Sequence, residues 1–149
     1  MAKFETWVAL GSLALGFMFV ILILSFYNFL IGPEGKGPQT SVDPFGAIVQ
    51  IVSISGAPSL ILAGVAFGTA RSSVERKPAF ILIATGIIFI GGMSAARVVL
   101  SKINSSFVIA GMDLLPVLFI LGGIGIAALG GYLLVTSKRA RRNLEDKIL

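Results

Sequence analysis

Arg97 is the residue whose type and position most invite a chemical role. It lies within GGMSAARVVLSK, residues 91 to 102, at the end of a long apolar segment. A charge in a membrane span is a functional candidate by default because it is costly in hydrocarbon. If the span ends near Leu100, however, Arg97 lies only about 4.5 Å from the helix end, and its long stem reaches the headgroups. We predict a membrane-edge anchor that pairs with Asp113. A buried ion pair with a partner subunit and a place in an ion path are the alternatives.

Other side chains that perform chemistry are scarce. Histidine and cysteine are both absent, and these two residues most often ligate zinc, copper, iron or haem. Proton relays in membranes use acidic residues or histidine within the spans, and every acidic residue falls outside the four spans assigned below. The sequence therefore predicts no catalytic residue, cofactor site or metal site in this chain.

The composition is that of an integral membrane protein. Of the 149 residues, 56% are hydrophobic and 13% are charged, against about 25% charged residues in a typical soluble domain. The formal net charge is +5, but the basic residues flank apolar segments, as expected for charges at a membrane surface. This placement argues against a nucleic-acid partner.

Four apolar segments are long enough to cross a bilayer, which requires about 20 residues. The predicted fold is therefore all-α, a single integral membrane domain of four transmembrane helices. Asp43 and Asp113 are predicted to cap the second and fourth helices. The predicted spans are 7–31, 45–70, 79–100 and 114–136, followed by a basic tail at 137–149.

The distribution of lysine and arginine predicts the orientation. With four spans, both termini and the loop 71–78 share one side of the membrane, and nine basic residues lie there against three on the other side. Because the cytoplasmic segments of membrane proteins carry the excess of lysine and arginine, we predict a multi-pass protein of the cell membrane with both termini cytoplasmic. The tail KRARRNLEDKIL is predicted to contact anionic lipid; a docking site for a cytoplasmic partner is the alternative.

Small residues spaced four apart predict close helix packing, since in lipid such faces let two backbones approach. The alternative interpretation is that these glycines are present only because glycine is common in membrane helices. The predicted packing pairs are Ser12 with Gly16, Gly64 with Gly68, Gly92 with Ala96, and Ala127 with Gly131.

Pro58 interrupts the second span and predicts a kink, because proline cannot donate a backbone hydrogen bond. Freed carbonyls and nearby polar side chains could line a cavity, as broken helices do in transporters. A kinked packing helix is the preferred interpretation, since no second interruption of this kind is found. The polar side chains concerned are Gln50, Ser53, Ser55 and Ser59.

The connection between the third and fourth spans carries two further signals. Its apolar trio, Phe107 to Ile109, is predicted to lie in the membrane interface or against a neighbouring protein. Asn104 begins an Asn-Ser-Ser glycosylation sequon, predicted to lie on the outer side but close to the membrane. Whether Asn104 is glycosylated is not decided by this signal.

The layout, from WVALGSLALGFMFVILIL through the glycine-rich fourth span to KRARRNLEDKIL, resembles the small multi-span accessory subunits of the archaeal membrane-bound ammonia monooxygenase, a copper enzyme. The resemblance implies a non-catalytic subunit that assembles or stabilises the complex alongside other integral membrane subunits. Copper would be held by those partners. Two alternatives remain open, a small transporter or channel formed by several copies, and a membrane assembly factor or scaffold.

Overall fold

The computed structural model describes residues 3–38, 40–73 and 75–148. Its α-helices are α1 (Phe4–Ile31), α2 (Pro44–Ile51), α3 (Ala57–Ala70), α4 (Lys77–Leu100) and α5 (Leu114–Ile148). A π-helical segment, Val52–Gly56, joins α2 to α3, so that Pro44–Ala70 crosses as one helix. No strand occurs in the described ranges. Four helices are long and apolar enough to span a membrane, which confirms the predicted all-α, multi-pass fold.

The helix ends lie close to the predicted span boundaries except in α5. This helix continues to Ile148 and does not end near 136. At 1.5 Å per residue its 35 residues extend about 50 Å, well beyond a hydrocarbon core of about 30 Å. The sequence after Gly131 contains neither glycine nor proline, so nothing in it stops the helix. The basic tail is therefore a helical extension of the fourth span.

Contacts between helices define a bundle in which α1 and α4 run in the same direction. Gly16 faces the Phe89 ring, and Gly92 faces Val20 one turn further along both helices. The fifth helix runs antiparallel to α4, with Gly123 beside Phe89 and Gly130 beside Ala79. The second span packs on α1, and Leu60 also reaches Gly122 of α5. The helices thus form a closed ring of neighbours.

Buried residues recur at spacings of mostly three and four along α1, α3, α4 and α5. In α5 they are Pro116, Phe119, Gly123, Ile126, Gly130, Leu133 and Ser137. A repeat averaging 3.5 residues keeps one seam facing the neighbouring helices, as in left-handed coiled coils. The helices therefore pack along fixed seams, and the remaining positions face outward.

Three phenylalanines fill the middle of the bundle. The ring centroids of Phe19 and Phe119 lie 4.3 Å apart. The ring centroid of Phe89 lies 5.8 Å from that of Phe19 and 5.7 Å from that of Phe119. Offset and tilted ring contacts of this kind stabilise a core by more than the area they bury accounts for. Phe19 and Phe89 are fully buried, so aromatic side chains occupy the centre where three helices meet.

The loops at one end of the bundle pack on the core. Gly37 has a φ of +98° and lies against the Phe107 ring, where a side chain would not fit. Phe107, Val108 and Ile109 are half-buried against the core of the chain. The trio predicted to face the interface or a neighbouring protein therefore lies against the protein's own helices, because the loop folds back over the bundle end.

Candidate functional site: the helix-packing faces

Helices α4 and α5 approach each other closely enough for their backbones to touch. A Cβ placed on Gly86 would lie 2.5 Å from the carbonyl oxygen of Gly123 and 2.8 Å from the Cβ of Ala127. A Cβ on Gly123 would lie 2.9 Å from the carbonyl oxygen of Gly86. Only glycine permits this backbone approach, which maximises van der Waals contact between helices in lipid. Ala127 is thus the one predicted α5 residue that contacts this interface.

The first predicted pair, Ser12 and Gly16, lies where α1 meets the second span. The Ser12 hydroxyl donates to the Ser59 carbonyl at 2.8 Å, and the Ser59 hydroxyl donates to the Ser12 carbonyl at 2.7 Å. A Cβ on Gly16 would lie 3.1 Å from both the Phe89 ring and the Ser59 hydroxyl. Reciprocal hydrogen bonds of this kind hold two membrane helices together.

The pair on α4 also faces inward. Gly92 faces the Val20 side chain closely enough that a Cβ would overlap it. Ala96 is fully buried one turn later. Gly92 therefore contributes to the α1–α4 contact, and Ala96 to the buried side of α4.

The remaining predicted small residues do not pack within the chain. Gly64 and Gly68 are exposed, and a Cβ on either would meet nothing within 4 Å. Gly131 likewise has open space in front of it. Spacing by four identified these residues as candidates, but it did not distinguish inward-facing from outward-facing ones.

Four glycines of the spans pack closely and were not predicted, namely Gly56, Gly86, Gly123 and Gly130. A signal for two of them was present in the sequence. Gly123, Gly130 and Ser137 recur every seven residues, the repeat expected of a coiled-coil seam. Gly86 has no small partner four residues away, because Leu82 and Ile90 occupy those positions.

Pro58 lies within a continuous helix whose irregularity falls just before it. In the π-helical segment Val52–Gly56, the Ala57 N–H donates to the Val52 carbonyl, five residues back. The Ser55 hydroxyl donates to the Ile51 carbonyl at 2.7 Å. Inserting a π turn is a common way for a helix to absorb a disrupted hydrogen-bond ladder.

The polar side chains near Pro58 do not converge on one cavity. Ser55 and Ser59 are fully buried, and their hydroxyls are used in the hydrogen bonds just described. Gln50 and Ser53 are exposed on the outside of the bundle. The polar residues of the second span are thus divided between its inner and outer sides.

Arg97 lies in the last turn of α4 with its side chain exposed. A cation there complements the negative end of the helix dipole. The ion pair found in the described ranges joins Lys36 to Glu34 at 3.1 Å, so Arg97 and Asp113 are not paired within the chain. A contact of either with a partner subunit stays a prediction.

The predicted capping aspartates precede their helices without capping hydrogen bonds. Asp43 occupies the N-cap position of α2, but its side chain accepts no cap hydrogen bond. Pro44 follows at the first helical position, as predicted. The carboxylate still lies near the positive end of the helix dipole.

No group of three or more acidic side chains that could hold a metal ion occurs in residues 3–38, 40–73 and 75–148. Comparisons of this chain with protein-family models, with curated proteins and with solved structures gave no match. The geometry of the helix faces is therefore the basis for the function proposed below.

Proposed function

We propose that this chain is a non-catalytic integral membrane subunit that stabilises a larger membrane enzyme complex through the outward side of its second span. The observation that carries the proposal is the open space in front of Gly64 and Gly68. Elsewhere in the bundle, Gly86 and Gly123 show how glycine is used when a neighbouring helix is present. The Gly64–Gly68 face has the same composition without the neighbour.

Gln50, which is also exposed, gives the first turns of the same span a hydrogen-bonding group. It lies about 9 Å along the helix from Pro44, and the 27-residue helix is about 10 Å longer than the hydrocarbon core. A centred helix therefore places Gln50 at the edge of the apolar layer. At that depth its amide can hydrogen-bond to a polar side chain of another helix. The expected occupant is a transmembrane helix with a polar residue near its outer end.

The complex proposed is an archaeal membrane-bound ammonia monooxygenase, supported by the resemblance in layout. The chemistry of that enzyme would belong to copper-binding partner subunits, since this chain supplies no imidazole or thiol. The orientation proposed has both termini in the cytoplasm, supported by the excess of basic residues at that end.

The test is purification of the tagged chain from its native membrane in mild detergent, followed by mass spectrometry of co-purifying proteins. The wild type should retain a stoichiometric integral membrane partner that carries metal ligands. Gly64→Leu with Gly68→Leu should lose it, because leucine fills the space that the partner backbone needs. Gly91→Leu with Gly125→Leu is the matched control, since both glycines also face open space but lie on α4 and α5.

Two results count against the proposal. Recovery of a lone, monodisperse chain would contradict the subunit role. Equal loss of partner in both double variants would show that the Gly64–Gly68 face has no special part in assembly.

A homo-oligomeric transporter is the second candidate, because the same open face also accommodates a second copy of this chain. Its pathway would lie between copies, since Phe19, Phe89 and Phe119 fill the centre of each bundle. Ion or solute flux by the purified chain alone in lipid vesicles would favour this function. The subunit role predicts none.

A further inference from the structure

A cavity of about 480 Å³ lies at the end of the bundle where α4 begins and α5 leaves the other helices. Its lining comes from the segment before α4, from the first turn of α4 and from the helical tail: Glu75, Arg76, Lys77, Phe80 and Arg141. We propose that this cavity binds the headgroup of an anionic phospholipid whose phosphate is esterified to a polyol such as glycerol. The inference is independent of the complex proposed above.

The charge of the cavity favours a phosphate. Three cations and one carboxylate line it, and the cations come from the start of α4 and from the tail of α5. Arg76 and Lys77 also stand at the N-terminus of α4, where no side chain caps the free N–H groups. The positive end of the helix dipole adds to the attraction for an anion.

Two polar atoms of the residues that line the cavity lack partners. The Arg76 Nε and one carboxylate oxygen of Glu75 are both shielded from solvent, and neither has a hydrogen-bond partner among the described residues. Leaving such charged groups unpaired when buried is unfavourable. A phosphate supplies acceptors that match a guanidinium, and a polyol hydroxyl supplies a donor for Glu75. A glycerol phosphate headgroup therefore matches the chemistry of both side chains, the guanidinium of Arg76 and the carboxylate of Glu75.

Phe80 connects the cavity to the apolar part of the membrane. It lies one turn beyond Arg76 and Lys77 on α4, and its side chain is 57% exposed. An acyl or isoprenoid chain attached to the bound headgroup can lie along this ring and the apolar helix that follows. A soluble phosphate would leave Phe80 without a role, so the cavity fits a lipid better than a free ion.

The experiment is a titration of the purified full chain in neutral detergent with phosphatidylglycerol, with native mass spectrometry counting bound lipid. The double variant Arg76→Gln with Arg141→Gln should weaken lipid binding by about tenfold or more, since each basic residue near a phosphate contributes substantially to the free energy of binding. The control, Arg139→Gln with Arg142→Gln, removes the same charge from exposed tail positions outside the cavity. We expect the control to change binding by less than about threefold. Equal weakening in both variants would overturn the proposal, as would undiminished binding in the cavity variant.

Two further arms make the result specific. Arg141→Glu changes only an exposed residue of the tail, so it tests the cavity without a risk to folding and should also weaken phosphatidylglycerol binding. Phosphatidic acid, whose headgroup lacks the glycerol hydroxyls, should bind more weakly than phosphatidylglycerol. Glu75→Gln should reduce the difference in affinity between the two lipids. Displacement of the lipid by inorganic phosphate at physiological concentration would assign the cavity to a free anion and overturn the lipid assignment.

Discussion

The α4–α5 interface and the outer side of the second span are built from the same small residue, with opposite surroundings. At the interface, Gly86 and Gly123 bring two backbones into contact. On the outer side, Gly64 and Gly68 face open space. The comparison teaches that glycine content predicts the capacity for close packing, while the facing direction decides whether the chain itself uses that capacity.

The largest effect is expected from the centre of the bundle. Phe19→Ala removes a fully buried ring that contacts two others. We expect the free energy of unfolding to fall by about 3 kcal/mol, the low end for truncation of a buried phenylalanine. The low end applies because a side chain that moves from lipid into the bundle gains no hydrophobic free energy. Unfolding by SDS in mixed micelles measures it. Phe17→Ala, at a 56% exposed ring, is the control, and equal losses would contradict a packed centre.

Gly86→Val sharpens the comparison at the α4–α5 interface. The new side chain collides with the Gly123 carbonyl, and overpacking of this kind costs about 1–3 kcal/mol. Gly91→Val, on the same helix with open space before it, should be nearly neutral under the same unfolding assay. Similar stability of the two variants would show that the helices do not meet at Gly86.

The reciprocal serine bonds should contribute less. Ser12→Ala and Ser59→Ala each remove one interhelical hydrogen bond, and we expect about 0.5–1.5 kcal/mol for each. A double-mutant cycle should reveal coupling between them. Ser94→Ala is the control, since the Ser94 hydroxyl bonds only to its own helix at Ile90. Strict additivity of the two inner substitutions would contradict a shared contact.

The smallest effect on the isolated chain is expected at the outer face. Gly64→Ala with Gly68→Ala should leave unfolding within about 0.5 kcal/mol of the wild type or raise stability slightly, since no contact is lost and alanine favours the helix. If the chain is the complex subunit proposed above, assembly with its partner should nevertheless weaken. A large loss of stability in the isolated chain would show that the face is already occupied within one bundle.

Much of the fold could be predicted from the sequence because each span is a local property. Twenty or more consecutive apolar residues fix a membrane helix wherever its neighbours lie. Arg97 could be placed at a helix end for the same reason, since its position depends on counting residues along one segment. The continuation of α5 beyond residue 136 was not predicted, although nothing after Gly131 stops a helix.

The assignment of faces was not local. Spacing by four found Ser12 and Gly16, which pack, together with Gly64 and Gly68, which do not. The rotation of each helix about its own axis depends on all its neighbours at once, so one helix's sequence does not specify it. The seven-residue recurrence of Gly123, Gly130 and Ser137 carries more of this information, because it reflects contact with a partner helix along the whole length.

By itself, the sequence determined that this chain crosses the membrane four times, and that it brings neither imidazole nor thiol to any site. Hydrophobicity is summed over a segment and residue types are read position by position, so neither depends on which helices lie beside that segment. Only the tertiary structure decided that Gly86 meets Gly123, that the Gly64 face stays open, and that Arg76 and Arg141 share one cavity. These residues are far apart in the chain, and packing of the helices along their seams brings them together or leaves them outside.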